Sequence, residues 1–291
     1  MRLAFLGTPE AAVVSLRALV EARHEVVLVV TRPDRRRGRG AQRSASPVKR
    51  AANELGLRVG YELAELEGID AERGVVVAYG AVIAAPTLQR LPMLNVHFSL
   101  LPRWRGAAPV QRAILAGDDV TGVSIMSLEP ELDTGPVHLE RRLAIADQTA
   151  DELTAELAEL GARALIEVLA TPALLEHPVA QRGEVTYAKK ITKETLHLVP
   201  AMSCAELSRT VRLDHAFTFV GARRLGVLQA HVVSSREGAA GSLYRADDTV
   251  GLVARDGALA LDVVQPEGGR PMSARDWWTG ARIDVVTVEW S

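Results

Sequence analysis

The chain has little of several things, and each scarcity excludes a class of protein. Its 291 residues contain one cysteine, Cys204, so neither an internal disulfide nor a multi-cysteine zinc site can form, and a reducing compartment suits it. Against 36 Asp plus Glu stand 34 Lys plus Arg, a formal charge of −2 at pH 7, without the positive excess needed to grip duplex DNA over a whole surface. No apolar run approaches the length that crosses a bilayer. The opening MRLAFLG passes straight into a strand-like segment rather than into the apolar core and cleavage site of a leader. These absences predict a cytoplasmic protein with no membrane or DNA partner. Apolar residues are plentiful, at 48 %, enough for one large domain or two unequal ones.

Leu3 to Leu6 reads as a buried strand closed by Gly7, and Thr8 with Pro9 predicts a helix to about Arg23, with Thr as cap and Pro in the first helical position. Glu25 to Thr31 is a second buried strand, Ser46 and Pro47 repeat the cap signal before a helix ending near Gly56, and Val75 to Tyr79 is a strand stopped by Gly80. Such alternation favours an α/β fold, a parallel sheet with helices on both faces. Leu94 to Phe98 makes a further strand, Ala108 to Ala116 a helix, and Thr121 to Leu128 a strand. Thr149 and Glu152 form a capping box that opens a helix to about Leu169, with Leu153, Leu157, Leu160, Ala164 and Val168 as its apolar stripe. The style then changes. Residues 171–201 hold Pro172, Pro178 and Pro200 with no sustained period, and from about Phe217 short Val- and Leu-rich runs are broken by Gly, Asp and Arg. The expected organisation is therefore a domain at 1–170, a linker at 171–201 and a small, mostly β domain at 202–291.

Candidate chemistry begins at Asn95, Val96 and His97, because residues two apart on a strand face one side and the carboxyl ends of strands in such sheets are where ligands bind. SLLPRWRGAAP, with Pro102, Gly106 and Pro109, suits a shaped loop, and LDTGP places Asp133 in a turn. Spacing alone leaves a structural role open for each of these, and it does not bring Asp133 to His97. Arg32, Arg35, Arg36, Arg37, Arg39 and Arg43, around Gly38 and Gly40, form a loop too polar to be core, either solvated or anion-binding. The GxxxxGK[ST] and GxGxxG phosphate-binding spacings are absent. His138 lies five residues after Asp133, but no ligand pair of zinc spacing accompanies it, and His24, His177 and His215 read as surface or turn residues, so no metal is expected. Trp277 and Trp278 are expected to anchor the small domain rather than to stack on nucleotides.

NVHFSLLPRWRGAAPVQRAIL, followed by TGVSIM and LDTGP, resembles the signature of the folate-dependent formyltransferases; FLGTPE, SPVK and VVAYG resemble the same family in the same order, over most of residues 1–170. The RGAAP form is closer to the tRNA-modifying branch than to the sugar-modifying or purine-pathway ones. The resemblance implies a Rossmann-like parallel-sheet domain followed by a small C-terminal β-barrel (OB-like) domain, a monomer. It implies formyl transfer from 10-formyltetrahydrofolate, as donor co-substrate, to the amino group of methionine on initiator methionyl-tRNA. The family's catalytic residues fall on Asn95, His97 and Asp133, with Asn95 and His97 as oxyanion donors and Asp133 keeping His97 charged and helping to move the amine's proton. Its folate pocket implies Val77, Tyr79, Gly80, Ser99, Leu100, Leu101 and Pro102, and its basic insertion implies tRNA contact by Arg35, Arg36, Arg37, Arg39 and Arg43.

The C-terminal part departs from the family pattern. VRLDHAFTFVGARRL lacks the expected prolines, TLHLVP follows KITKE, and from residue 202 onward 10 Arg and no Lys face 11 Asp plus Glu, whereas VVQPEGGRPMS does resemble the family's closing motif. A sugar-nucleotide N-formyltransferase with the same donor, and a non-catalytic folate- or RNA-binding relative, stay open as alternatives.

Overall fold

The computed structural model describes residues 1–36, 43–233, 238–281 and 287–290. In chain order its elements begin with β1 (Arg2–Gly7), α1 (Glu10–Glu21), β2 (Glu25–Val30), β3 (Arg35–Arg36), β4 (Arg43–Ser44), α2 (Pro47–Glu54), β5 (Val59–Gly60) and β6 (Arg73–Val77). They continue with α3 (Ala85–Arg90), β7 (Met93–His97), β8 (Arg105–Gly106), α4 (Pro109–Ala116), β9 (Val120–Ser127), β10 (Val137–Ala144), α5 (Ala150–Ala170), α6 (Pro172–Glu176) and β11 (Tyr187–Ala188). After α7 (Lys193–Leu196) and α8 (Cys204–Val211) come β12 (Phe217–Val220), β13 (Arg223–Val233), β14 (Ser242–Ala246), β15 (Thr249–Val253), β16 (Ala258–Pro266), β17 (Met272–Ser273), α9 (Ala274–Gly280) and β18 (Thr287–Glu289). Two compact units result: residues 1–110, 119–144 and 153–189 form one, and residues 111–118, 145–152 and 190–291 the other.

The first unit is built on a sheet of order β10-β9-β7-β6-β1-β2-β5. The five strands from β7 to β5 run parallel and their residues are apolar on both faces, as strands covered on both sides must be. β9 and β10 add an antiparallel edge, so the expected parallel sheet is a mixed one. The chain goes from β1 to β2 on one side and later to β6 on the other, which opens a crevice at the carboxyl ends of β1 and β6. α2 starts as its sequence predicts, with Ser46 Oγ accepting from the Lys49 N–H at 3.0 Å, and the Thr149–Glu152 capping box forms with bonds of 2.8 and 3.3 Å. The Thr8 expectation is corrected. Pro9 itself is the N-cap of α1, and the Thr8 hydroxyl instead donates across the crevice to the Tyr79 carbonyl at 3.4 Å. The stretch expected to be a linker carries α6 and β11, and its residues up to Lys189 belong with the first unit.

The second unit centres on an antiparallel sheet of order β12-β13-β16-β15-β14-β18, with β17 on β16, and a bridge between Val220 and Trp290 joins its two edges into a half-closed barrel. Leu207, Leu225, Val227, Leu243, Leu252, Leu259, Trp277, Trp278 and Trp290 fill the inside. The two adjacent tryptophans are therefore core anchors, edge to face with ring centroids 6.4 Å apart. Ser203 and Glu206 form a capping box on α8; the Cys204 thiol beneath it is buried, and that burial pushes its pKa up, as for an inert packing residue. Among the described residues no helix is long and apolar enough to cross a membrane.

Candidate active site

β7 is hydrogen-bonded on both sides, with Asn95 opposite Val76 and Met126 and His97 opposite Ser124. Its pleat sends Asn95 and His97 to one face and Leu94 and Val96 to the other. Behind Val96, α5 approaches so closely that a Cβ at Gly161 would lie 2.6 Å from Val96 Cγ1. The strand is thus held from both edges and from the rear. Asn95 is 9 % exposed, and among the described residues its amide has no hydrogen-bond partner, which leaves it available to a ligand.

After His97 the chain turns into a tightly bonded loop. Ser124 Oγ donates to the Ser99 carbonyl (2.8 Å) and accepts from Leu101 N–H (3.1 Å), Ser99 Oγ donates to the Arg103 carbonyl (2.5 Å), and the Leu101–Pro102 peptide is cis. Trp104 adopts φ 64°, and its carbonyl accepts from His97 Nε2 at 2.9 Å. A carbonyl can only accept, so Nε2 carries hydrogen and it is Nδ1 that faces Asp133 Oδ2, 3.8 Å away. The structure therefore does bring Asp133 to His97.

Asp133 sits on the turn between β9 and β10 with φ 51°, in the left-handed region, and is 8 % exposed. Its Oδ2 accepts the Gly106 N–H at 2.8 Å, while Oδ1 has no partner among the described residues. Two glycines make this possible. Gly106 has φ 118°, and at Gly135 a Cβ would fall on the Ser127 carbonyl oxygen.

Of the other predicted residues, Val77 ends β6 fully buried, and Tyr79 (5 % exposed) and Gly80 (φ 76°) follow it at the same sheet edge as Asn95 and His97. Arg32 lies over the Tyr79 ring, 5.8 Å from its centroid, and donates to the Gly80 carbonyl; burial pushes the Tyr79 phenol pKa up. Leu101 and Pro102 are buried, Leu100 is half-buried, and the Ser99 hydroxyl, 1 % exposed, is used within its own loop. Arg35 and Arg36 pair in β3 with Ser44 and Arg43 in β4, and Arg37 and Arg39 lie outside the described residues. At the base of that ladder Lys49 Nζ holds Asp34 at 2.8 and 2.9 Å, and this bonding raises the Lys49 pKa. His138 is buried, bonded to Ser127 Oγ (2.8 Å) and the Leu174 carbonyl (2.9 Å). Among the described residues no group of three or more His, Cys, Asp or Glu is arranged to hold a metal ion.

Sequence reasoning missed the backing of the loop. β8 pairs with β11, Trp104 N–H donates to Thr186 Oγ1 at 2.8 Å, and the Ala107 and Ala108 N–H groups both donate to the Ala188 carbonyl. No local signal marks these partners, which lie about eighty positions downstream.

An unpartnered amide and a histidine fixed on a strand end, facing a carboxylate on the next turn, are groups of the kinds that a group-transfer enzyme of the acyl type uses as donors and proton acceptor. Residues 1–169 match the formyl transferase family model and residues 190–282 match the formyl transferase C-terminal domain model; the chain belongs to the formyl transferase family. It is 40 % identical over 304 residues to the methionyl-tRNA formyltransferase of Jannaschia sp. (strain CCS1), covering 99 % of each chain. Among solved structures it resembles HypX from Aquifex aeolicus in complex with tetrahydrofolic acid (TM-score 0.68, 17 % identity, 96 % of this chain and 47 % of that one). It also resembles the methionyl-tRNA formyltransferase from Clostridium thermocellum (TM-score 0.55, 17 % identity, 80 % of this chain and 94 % of that one).

Proposed function

We propose that the protein transfers the formyl group of 10-formyltetrahydrofolate to the amino group of methionine on initiator methionyl-tRNA, as a monomer in the cytoplasm. The observation that carries this reading is the similarity to a methionyl-tRNA formyltransferase along nearly the whole of both chains, joined to the Asn95, His97 and Asp133 geometry. A sugar-nucleotide acceptor is not favoured, since the relatives of comparable identity and coverage carry the tRNA name.

In this mechanism the amine of the charged tRNA attacks the formyl carbon, and the oxygen that gains charge is met by the Asn95 amide and by the Nδ1–H of a doubly protonated His97. Both donors are set before reaction, so little reorganisation is needed as charge develops. Asp133 Oδ2 is occupied by the Gly106 N–H, which leaves Oδ1 to receive the proton the amine loses and to pass it to N10 of the folate as the bond from the formyl carbon to N10 breaks and tetrahydrofolate leaves. Val77, Tyr79, Gly80, Leu101 and Pro102 line the folate site, and Ser99 and Leu100 shape its loop. Residues 1–170 carry the chemistry, backed by the stretch up to Lys189, residues 190–201 connect, and residues 202–291 help to hold tRNA together with Arg35, Arg36, Arg37, Arg39 and Arg43.

The test is an assay with labelled formyl donor against charged initiator tRNA, uncharged tRNA and amino-sugar nucleotides, at several salt concentrations. Label is expected on charged tRNA alone, and transfer to an amino sugar in its place would overturn the reading. Replacing Arg35, Arg36, Arg37 and Arg39 with Ala is expected to lower efficiency toward tRNA and to flatten its salt dependence, because each lost phosphate contact releases fewer counterions. Equal salt slopes for the two proteins would take those arginines out of tRNA binding.

A further inference from the structure

Gln181 lies in the stretch between the two segments that match the family models, residues 1–169 and 190–282, and no motif points to it. Its side chain nevertheless reaches the turn that carries Asp133. Nε2 donates to the carbonyls of Asp133 (2.9 Å) and Gly135 (2.8 Å), and Oε1 accepts from Nε (3.1 Å) and Nη2 (2.7 Å) of Arg105. A carboxamide has two donor hydrogens and one oxygen with two lone pairs, and all of them are used here. The opposite orientation of the amide would set its oxygen against two carbonyls and its NH2 against a guanidinium, so the orientation is fixed.

The four bonds converge on the part of the site that cannot hold itself. Asp133 is a left-handed, non-glycine residue, a conformation that persists only where its surroundings over-determine it. The residue after Arg105, Gly106, donates its N–H to the Asp133 carboxylate. Gln181 thus fastens the Asp133 peptide on one side and, through Arg105, the donor of that carboxylate on the other. We propose that Gln181 is a positioning residue for formyl transfer, holding the Asp133 carboxylate toward His97. The proposal rests on the reading of Asp133 as the proton acceptor.

The test is a double-mutant cycle on the full-length enzyme, with Gln181→Ala, Gln181→Glu, Asp133→Asn and the combination of Gln181→Ala with Asp133→Asn, following kcat, both KM values and the thermal midpoint. Gln181→Ala is expected to lower kcat about ten- to a hundredfold, the cost of a misplacement of roughly 1 Å at a reacting group. Both KM values and the melting temperature are expected to stay close to those of the parent. Gln181→Glu keeps the bond to Arg105 but cannot donate to the two carbonyls, so it is expected to be as slow, and it carries the test if the Ala variant folds poorly. In the Asp133→Asn background the Gln181→Ala change is expected to cost almost nothing further. An equal cost in both backgrounds, a raised KM with unchanged kcat, or full turnover of Gln181→Glu would overturn the positioning role. Full activity of Asp133→Asn would overturn the catalytic reading of Asp133 itself, a distinct result.

Discussion

Asn95 and His97 ride on a strand, whereas Asp133 rides on a turn, and the two are held in place by different physics. The strand pair depends on two hydrogen-bonded neighbours and on the helix packed behind Val96, none of which involves a substrate-facing side chain. The turn depends on two glycines with no room for a Cβ or no tolerance for one, and on side chains reaching in from elsewhere. In the proposed mechanism the groups that meet the developing charge sit on the rigid element, and the group that takes up and passes on a proton sits on the tethered one.

The most severe way to break the comparison is to remove the side chains themselves. His97→Ala and Asp133→Ala are each expected to slow turnover by about a hundredfold or more, the scale of a positioned acid or base. Asn95→Ala is expected to lose about 3 kcal/mol of transition-state stabilisation, as for one oxyanion donor. Steady-state rates beside circular dichroism of each variant check this, and near-normal turnover in any of the three removes that residue from the mechanism.

A gentler substitution sharpens the contrast. Gly161→Ala would press on Val96 behind the strand, and Gly135→Ala would press on the Ser127 carbonyl beneath the turn. Each is expected to cost about 1–3 kcal/mol of stability, the usual range for overpacking. Only Gly135→Ala is expected to lower kcat strongly, because the turn moves with its carboxylate while the strand is held by its ladder. Comparable kcat losses in the two variants would show that strand and turn are equally compliant.

The smallest effect is one of pH. Burial lowers the pKa of His138 below its usual value near 6.5, although its bond to the Leu174 carbonyl opposes this. The unfolded chain therefore binds the proton more readily than the folded one. Stability from this site is complete above about pH 6.5 and is lost as the pH falls below that value. Melting temperatures from pH 7.5 down to 5.5 are expected to fall more steeply for the parent than for His138→Gln, with kcat at neutral pH alike; parallel curves would remove His138 from the acid response.

The strand-borne half of the site could be read from residue spacing, whereas the turn-borne half was reached only through the resemblance of LDTGP to the family. Period two puts Asn95 and His97 on one face wherever a strand forms, and apolar runs ending at glycine marked β1 and β6. Capping at Ser46 and Thr149 is local chemistry and was equally legible. β10 was not, because VHLERRLA is an edge strand whose outward face is charged, leaving no apolar run to find. Thr8 misled because a hydroxyl able to cap its own helix found an acceptor 71 residues away. The meeting of Asp133 with His97 depends on the antiparallel pairing of β7 and β9, and Gln181 on partners 48 and 76 positions distant. Such pairings have no local periodicity to betray them.

The pairing of β8 with β11 also sets an order of events during synthesis. Arg105 and Gly106 find their strand partners only when Tyr187 and Ala188 exist, and Trp104 finds Thr186 only 82 residues later. At ordinary translation speeds of 5–20 residues per second that interval is roughly 4–16 s, and about 2–8 s of it follow the synthesis of Ala144, the end of the last strand of the seven-strand sheet. A nascent chain stalled in that window would possess its strand-borne amide and imidazole, but the loop and turn around them would still await their clasp. The clasp is thus closed late, by a stretch of chain that lies outside the seven strands and meets the sheet at its edge, where Val179 bridges to Val137 of β10.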